Sequence, residues 1–257
     1  MRHPVPSRLR RLLFRRKKNS NRFRRKDVKG QESCSCPFIY RGKSVRGIEL
    51  IIFDLDGTLI DAYPAIISSF NYTMARAGCP ARDENTIRRA VGWGDRNLLK
   101  PFVPRQKLDR ALSVYRRHHA KALVSCSRLF PGARALLAGF KKKGLLLAVA
   151  TNRPTRFSLI LLKHLGIREY FDMVLCGDKI LHMKPHPQIL RTIMARLGVT
   201  PEHTLFVGDM TVDAQTGRRA KVRTIMVPTG SNSIAELKKE RPFAIIPGVR
   251  ELAFLFA

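Results

Sequence analysis

Six short apolar runs, at residues 50–53, 145–150, 173–176, 204–207, 224–227 and 244–246, set the strongest limit on how this chain folds. None alternates polar with apolar side chains, so each reads as a strand covered on both faces rather than one with a wet side. Segments at residues 155–165, 187–197 and 213–220 have helical character and a length that suits a right-handed crossover. The expected fold is α/β, a doubly wound parallel sheet. About 90 residues separate the first two runs, far more than one crossover helix requires. In that gap Ile66, Ile67, Phe70, Met74 and Ala77 fall at helical spacing, and Leu108, Leu112, Tyr115 and His119 do so again. The expectation is a helical cap over residues 62–130, inserted into an α/β core of residues 48–61 and 131–257. Phe130-Pro131-Gly132 supplies a return hinge, and a helix over 133–140 precedes the second strand.

Residues 1–47 have a different character, with 16 Lys and Arg against 2 acidic residues and few apolar side chains. Such a composition cannot bury enough surface to fold alone, and the segment reads as a disordered basic tail. Leu9, Leu12 and Leu13 among arginines leave open a short amphipathic helix for membrane or nucleic acid, or an organellar presequence. The remaining residues hold 33 basic against 17 acidic side chains, and the whole chain's formal charge of +30 attracts polyanions or phosphorylated ligands. No apolar run reaches 18 residues and the N-terminus lacks the apolar stretch of a signal peptide, so a cytoplasmic protein without a transmembrane helix is expected. Cys34, Cys36, Cys79, Cys126 and Cys176 form no CxxC pair and read as reduced thiols.

Asp54-Leu55-Asp56-Gly57-Thr58 directly follows the first run. Residues two apart on an extended strand share a face, so both carboxylates can enter one crevice at the strand's C-terminal end, where open α/β sheets gather ligands. Gly57 lets the backbone approach a phosphate closely. Here the sequence resembles the haloacid dehalogenase superfamily, whose first motif is DxDGT, and the resemblance covers roughly residues 48–252. Leu147-Ala148-Val149-Ala150-Thr151-Asn152 looks like the second motif, and Lys184 in Met183-Lys184-Pro185-His186-Pro187 looks like the third. Gly208-Asp209-Met210-Thr211-Val212-Asp213 looks like the fourth. Within the superfamily, Thr151-Asn152-Arg153-Pro154-Thr155, Lys184-Pro185-His186-Pro187 and the helical cap resemble phosphoglycolate phosphatases and their pyrophosphatase relatives.

The resemblance implies a Mg²⁺-dependent phosphatase that forms an aspartyl-phosphate on Asp54. A side-chain oxygen of Asp54, the backbone carbonyl of Asp56 and the carboxylate of Asp209 would hold the metal. Thr151, the backbone N–H of Asn152 and Lys184 would bind the phosphate, and Asp213 would support Lys184 or a metal-bound water. Asp56 would protonate the leaving group and then activate water. The implied substrate is a small phosphorylated metabolite, phosphoglycolate-like or pyrophosphate, acted on by a monomer or homodimer. A sugar phosphomutase shares the Asp pair, and a polyanion-binding protein would use the basic tail; both stay open. Gly92-Trp93-Gly94-Asp95-Arg96 is either a substrate-facing loop in which Arg96 meets a second anionic group, or a glycine turn with Trp93 in the cap core. His118, His119 and His186 read as structural. Met210 and Lys221 depart from the family pattern, which has Ser or Thr at the first position and Gly at the second.

Overall fold

The computed structural model describes residues 45–256. Residues 1–44 of the expected 1–47 tail, with the amphipathic alternative within it and Cys34 and Cys36, lie outside the described residues; of the last three, Val45 is buried in the core rather than belonging to a tail. Eight strands are numbered in chain order: β1 (Leu50–Phe53), β2 (Ile60–Asp61), β3 (Arg128–Leu129), β4 (Leu146–Thr151), β5 (Met173–Cys176), β6 (Thr204–Gly208), β7 (Arg223–Met226) and β8 (Ala244–Ile245). Six form one sheet in the order β5-β4-β1-β6-β7-β8, with every neighbouring pair parallel.

Both faces of this sheet are covered, which explains why its strands carry no polar alternation. In β1, Ile51 and Phe53 join one apolar cluster with Leu136, Leu137, Leu161 and Leu162 from α5 (Ala133–Lys142) and α6 (Thr155–His164). Leu50 and Ile52 point the other way, into a cluster with Ile189, Leu190 and Ile193 of α7 (Gln188–Leu197). Burying each such side chain contributes about 1.5–3 kcal/mol before the entropy of ordering is counted. Two further helices, α8 (Thr211–Ala220) and α9 (Ile234–Lys239), follow β6 and β7. Lys221 ends α8 at φ +60°, a left-handed position that costs a side chain about 1 kcal/mol relative to glycine.

Strands β2 and β3 pair antiparallel, and four helices run between them: α1 (Tyr63–Ala77), α2 (Glu84–Ala90), α3 (Asp95–Leu99) and α4 (Leu108–Cys126). Their apolar faces close on one another in a cluster that includes Ile66, Phe70, Met74, Ile87, Leu99 and Leu112. Asp83 starts α2 by accepting the Thr86 N–H at 3.0 Å, and Gly78 ends α1 in the left-handed region at φ +65°. Trp93 is 45% exposed, which removes the alternative that placed it in the core of these helices. Among the described residues no helix is long and apolar enough to cross a membrane.

Candidate active site

Strands β1 and β6 lie side by side, but the chain leaves β1 for β4 on one side and leaves β6 for β7 on the other. The C-terminal ends of two such strands open a crevice, because their outgoing connections diverge. Asp54 stands at the end of β1 and Asp209 at the end of β6. One carboxylate oxygen from each, with one from Asp213 on the first turn of α8, lies within a 4.8 Å group. Thr151 closes β4, and the loop after β5 carries Lys184 to the same end of the sheet. Asp54, Asp56, Thr151, Asn152 and Lys184 all line one cavity of about 630 Å³, its open mouth included, with Asp209 and Asp213 buried beside Asp54. The residues singled out from the sequence therefore converge.

Charge in this crevice is unbalanced. Lys184 Nζ donates to Asp213 Oδ1 at 2.7 Å and lies 2.9 Å from Asp54 Oδ1, out of line for a hydrogen bond. Asp213 Oδ2 accepts the Met210 N–H at 3.0 Å and the Asp209 N–H at 3.3 Å, so this carboxylate caps α8 while it anchors the lysine. Burial, against the opposing pull of Lys184, pushes the Asp54 carboxyl up to about 7, with Asp213 and Asp56 adding to the rise. Burial and the charges of Asp213 and Asp54 likewise hold Asp209 well above the usual carboxylate range. Burial opposes the charge of Lys184, but Asp213 and Asp54 outweigh it and raise the ammonium's pKa.

Asp209 Oδ1 accepts from Thr58 Oγ1 at 2.7 Å, whereas Asp209 Oδ2 is buried with no hydrogen-bond donor and Asp54 Oδ1 has only the Lys184 ammonium, at 2.9 Å. Two glycines make room around the bare oxygen: a Cβ on Gly57 would fall 2.2 Å from Asp209 Oδ2, and one on Gly230 would fall 1.9 Å from it. Desolvated carboxylates with an unpartnered oxygen in a glycine-walled cradle fit a small, hard, oxygen-seeking divalent cation.

Asp56 is held from the opposite side. Arg153 donates Nε to its Oδ2 at 2.8 Å and Nη2 to its Oδ1 at 2.7 Å, a two-pronged grip. The remaining arm, Nη1, lies 2.8 Å from His119 Nε2. Sequence reasoning assigned no role to Arg153 or Thr58 and read His119 as structural. Thr58 stood inside the first motif, so its closeness to the acidic pair was the available signal. Arg153 stood in the quoted Thr151-Asn152-Arg153-Pro154-Thr155 stretch, which gave it no partner, and His119 carried only the helical spacing of α4; Arg153 meets Asp56, and His119 meets Arg153, only in the folded chain. Asn152 also does more than offer a backbone N–H: its side chain accepts the Lys184 N–H at 2.9 Å and donates to the Gly92 carbonyl at 2.8 Å. That amide ties the Lys184 loop to the turn between α2 and α3.

The wall facing the sheet is apolar, built from Ile66, Val91, Leu98 and Tyr115 of the helical insert with Phe157 and Val212 of the core. Gly92, Gly94 and Asp95 also face the cavity, as the substrate-facing reading of that loop expected. Arg96 does not line it; this exposed side chain pairs with Asp109 instead.

Residues 51–227 match the family model for haloacid dehalogenase-like hydrolases. The phosphoglycolate phosphatase of Nitrosococcus oceani is 30% identical over 217 residues, covering 81% of this chain and 96% of that protein. A crystal structure described as a predicted phosphoglycolate phosphatase from Haemophilus somnus superposes with a TM-score of 0.78 at 26% identity, covering 82% of this chain and 99% of the other. CbbY from Rhodobacter sphaeroides, solved in complex with phosphate, gives 0.73 at 25% identity, covering 82% of this chain and all (100%) of the other.

Proposed function

The chain belongs to the haloacid dehalogenase-like hydrolases and is a phosphatase, and from that premise we propose that it hydrolyses a small phosphate monoester by way of a phosphoryl group carried on Asp54. The observation that carries this reading is the placement of Asp54, Asp209 and Lys184 in one buried crevice, with Asp54 paired to the lysine and Asp209 Oδ2 left without a partner.

An oxygen of Asp54 attacks phosphorus while the bond to the leaving oxygen breaks, and a proton held on Asp56 passes to that oxygen. Asp56, now ionised, takes a proton from water as the water oxygen attacks phosphorus. The bond to Asp54 then breaks, giving free phosphate. Thr151 and the backbone N–H of Asn152 donate to the phosphoryl oxygens, and Lys184 balances the charge that Asp54 and the phosphate bring together. Mg²⁺, held by Asp54, the Asp56 carbonyl and Asp209, would supply the positive charge that a dianionic ester needs beside these carboxylates. The helices over residues 63–126 act as a cap whose apolar wall selects the leaving group and keeps water from the site. Phosphoglycolate is the first substrate to try, because the Nitrosococcus oceani relative carries that activity in its name.

A panel of phosphoglycolate, pyrophosphate, sugar phosphates and nucleotides, each with Mg²⁺ and with chelator, tests the reading. Phosphate release that needs Mg²⁺ and is abolished by Asp54→Asn is expected. Equal activity in Asp54→Asn would overturn the mechanism.

A further inference from the structure

Arg153 and His119 belong to a continuous hydrogen-bond chain that starts in the helical insert and ends on Asp56. Ser69 of α1 donates Oγ to the Ala65 carbonyl at 2.7 Å. His119 Nδ1 of α4 lies 3.2 Å from that Oγ, and His118 Nδ1 lies 3.1 Å from it. Arg153 Nη1 lies 2.8 Å from His119 Nε2, and its two other nitrogens grip Asp56.

The positions of the protons follow from what each group can do. A guanidinium only donates, so His119 Nε2 must accept. The ring then carries its single proton on Nδ1, which faces Ser69 Oγ and the Ala65 carbonyl. Ser69 commits its own proton to Ala65, so the lone pairs of its Oγ are what it offers to the His119 Nδ1–H. Burial and the neighbouring Arg153 charge push the His119 pKa down to about 2, which agrees with a neutral ring. Tyr115 stacks on that ring at 4.8 Å between centroids and Phe157 meets it edge-on at 5.3 Å, so its plane is fixed.

We propose that Arg153 and His119 are positioning residues for Asp56, and that through them the helical insert sets where the acid–base carboxyl points. The inference rests on the reading of Asp56 given above. It adds that the carboxyl is aimed by a relay anchored on α1 and α4, and that these helices do more than cover the cleft. Without His119 the arginine keeps its charge and its two bonds to Asp56 but loses the contact that ties the pair to α4, and a misplacement of about 1 Å at a reacting group is worth on the order of 100-fold in rate.

The test compares two esters through kcat/KM, which covers the steps up to departure of the leaving group. An alkyl phosphate needs a proton from Asp56 as it leaves, whereas p-nitrophenyl phosphate releases a stable anion that needs none. His119→Phe keeps the ring packing but removes the acceptor for Arg153; His119→Gln retains an acceptor. The wild-type ratio of p-nitrophenyl to alkyl phosphate kcat/KM is expected to rise by roughly 10- to 100-fold in His119→Phe. It should return to within about threefold of wild type in His119→Gln, and Arg153→Lys should resemble His119→Phe. An unchanged ratio in His119→Phe, whatever its overall activity, would overturn the proposal, as would a Gln variant no better than Phe. Wild-type protein inactive on every ester would instead overturn the phosphatase reading itself. Thermal melts of each variant keep a folding defect apart from either outcome.

Discussion

The two walls of the cleft are built on opposite principles. On the sheet side, Asp54, Thr151 and Asp209 stand at the ends of β1, β4 and β6, whose parallel register fixes their spacing, and the loop after β5 brings in Lys184, held by the Asn152 amide. The wall is buried and crowded with carboxyl groups, and burial with mutual repulsion disfavours their ionised forms. On the helical side, Ile66, Val91, Leu98 and Tyr115 present an apolar surface whose position depends on side-chain contacts and on the Asn152 and His119 links to the core. The contrast teaches that the charged groups are placed by the main chain of the sheet, whereas the apolar wall is placed by side-chain packing and touches the charged groups only through the Asn152 and His119 links.

Changes to the sheet wall should be the most damaging. Asp54→Asn is expected to lower kcat by about 10⁴-fold or more with little change in fold, measured by phosphate release and circular dichroism. Gly57→Ala should come next, at roughly 100-fold in kcat, because its Cβ would meet Asp209 Oδ2 at 2.2 Å and the residue sits at φ +84°. Val91→Ala, on the helical wall, should leave kcat near wild type and shift kcat/KM between a bulky and a small ester by about 10-fold. If it instead depressed kcat on all esters as Gly57→Ala does, the division of labour between the walls would fail.

Stability separates the walls as well. In metal-free protein the raised Asp54 and Asp209 carboxyls bind protons that the unfolded chain has already released. Their contribution to stability is full below about pH 4 and is lost as pH rises through about 7. With chelator present, Tm should therefore fall by several degrees between about pH 5 and pH 8, and Asp209→Asn should flatten the fall. A Tm that rose over that interval would contradict the electrostatic picture. The smallest effect lies away from both walls: Lys221→Gly should add about 1 kcal/mol to unfolding in denaturant and leave kcat unchanged.

The same contrast explains what could be read from the sequence. Strands covered on both faces must be apolar throughout, so the run at 173–176 coincides with β5 and that at 145–150 lies one residue from β4. Asp54, Thr151 and Asp209 stand at the ends of such strands, and it is the resemblance to the family's motifs at those positions that marks them. Arg153 and Asp56 are 97 positions apart and His119 is 34 from Arg153, so no local pattern encodes a contact that exists only once α4 docks against α6. Helices α2 and α3, of 7 and 5 residues, are too short to print a period. Trp93 invited burial as a large aromatic between two glycines, yet the turn that faces Gly92 and Gly94 to the cleft leaves its side chain half exposed.

The claim on which the account turns is that Asp54 carries the phosphoryl group. Acid quenching during turnover of a ³²P-labelled ester, followed by peptide mapping, reads it directly. The account predicts label on the peptide containing Asp54, released by mild base and absent from Asp54→Asn. Steady turnover with no protein-bound label, or label on any other residue, would contradict it.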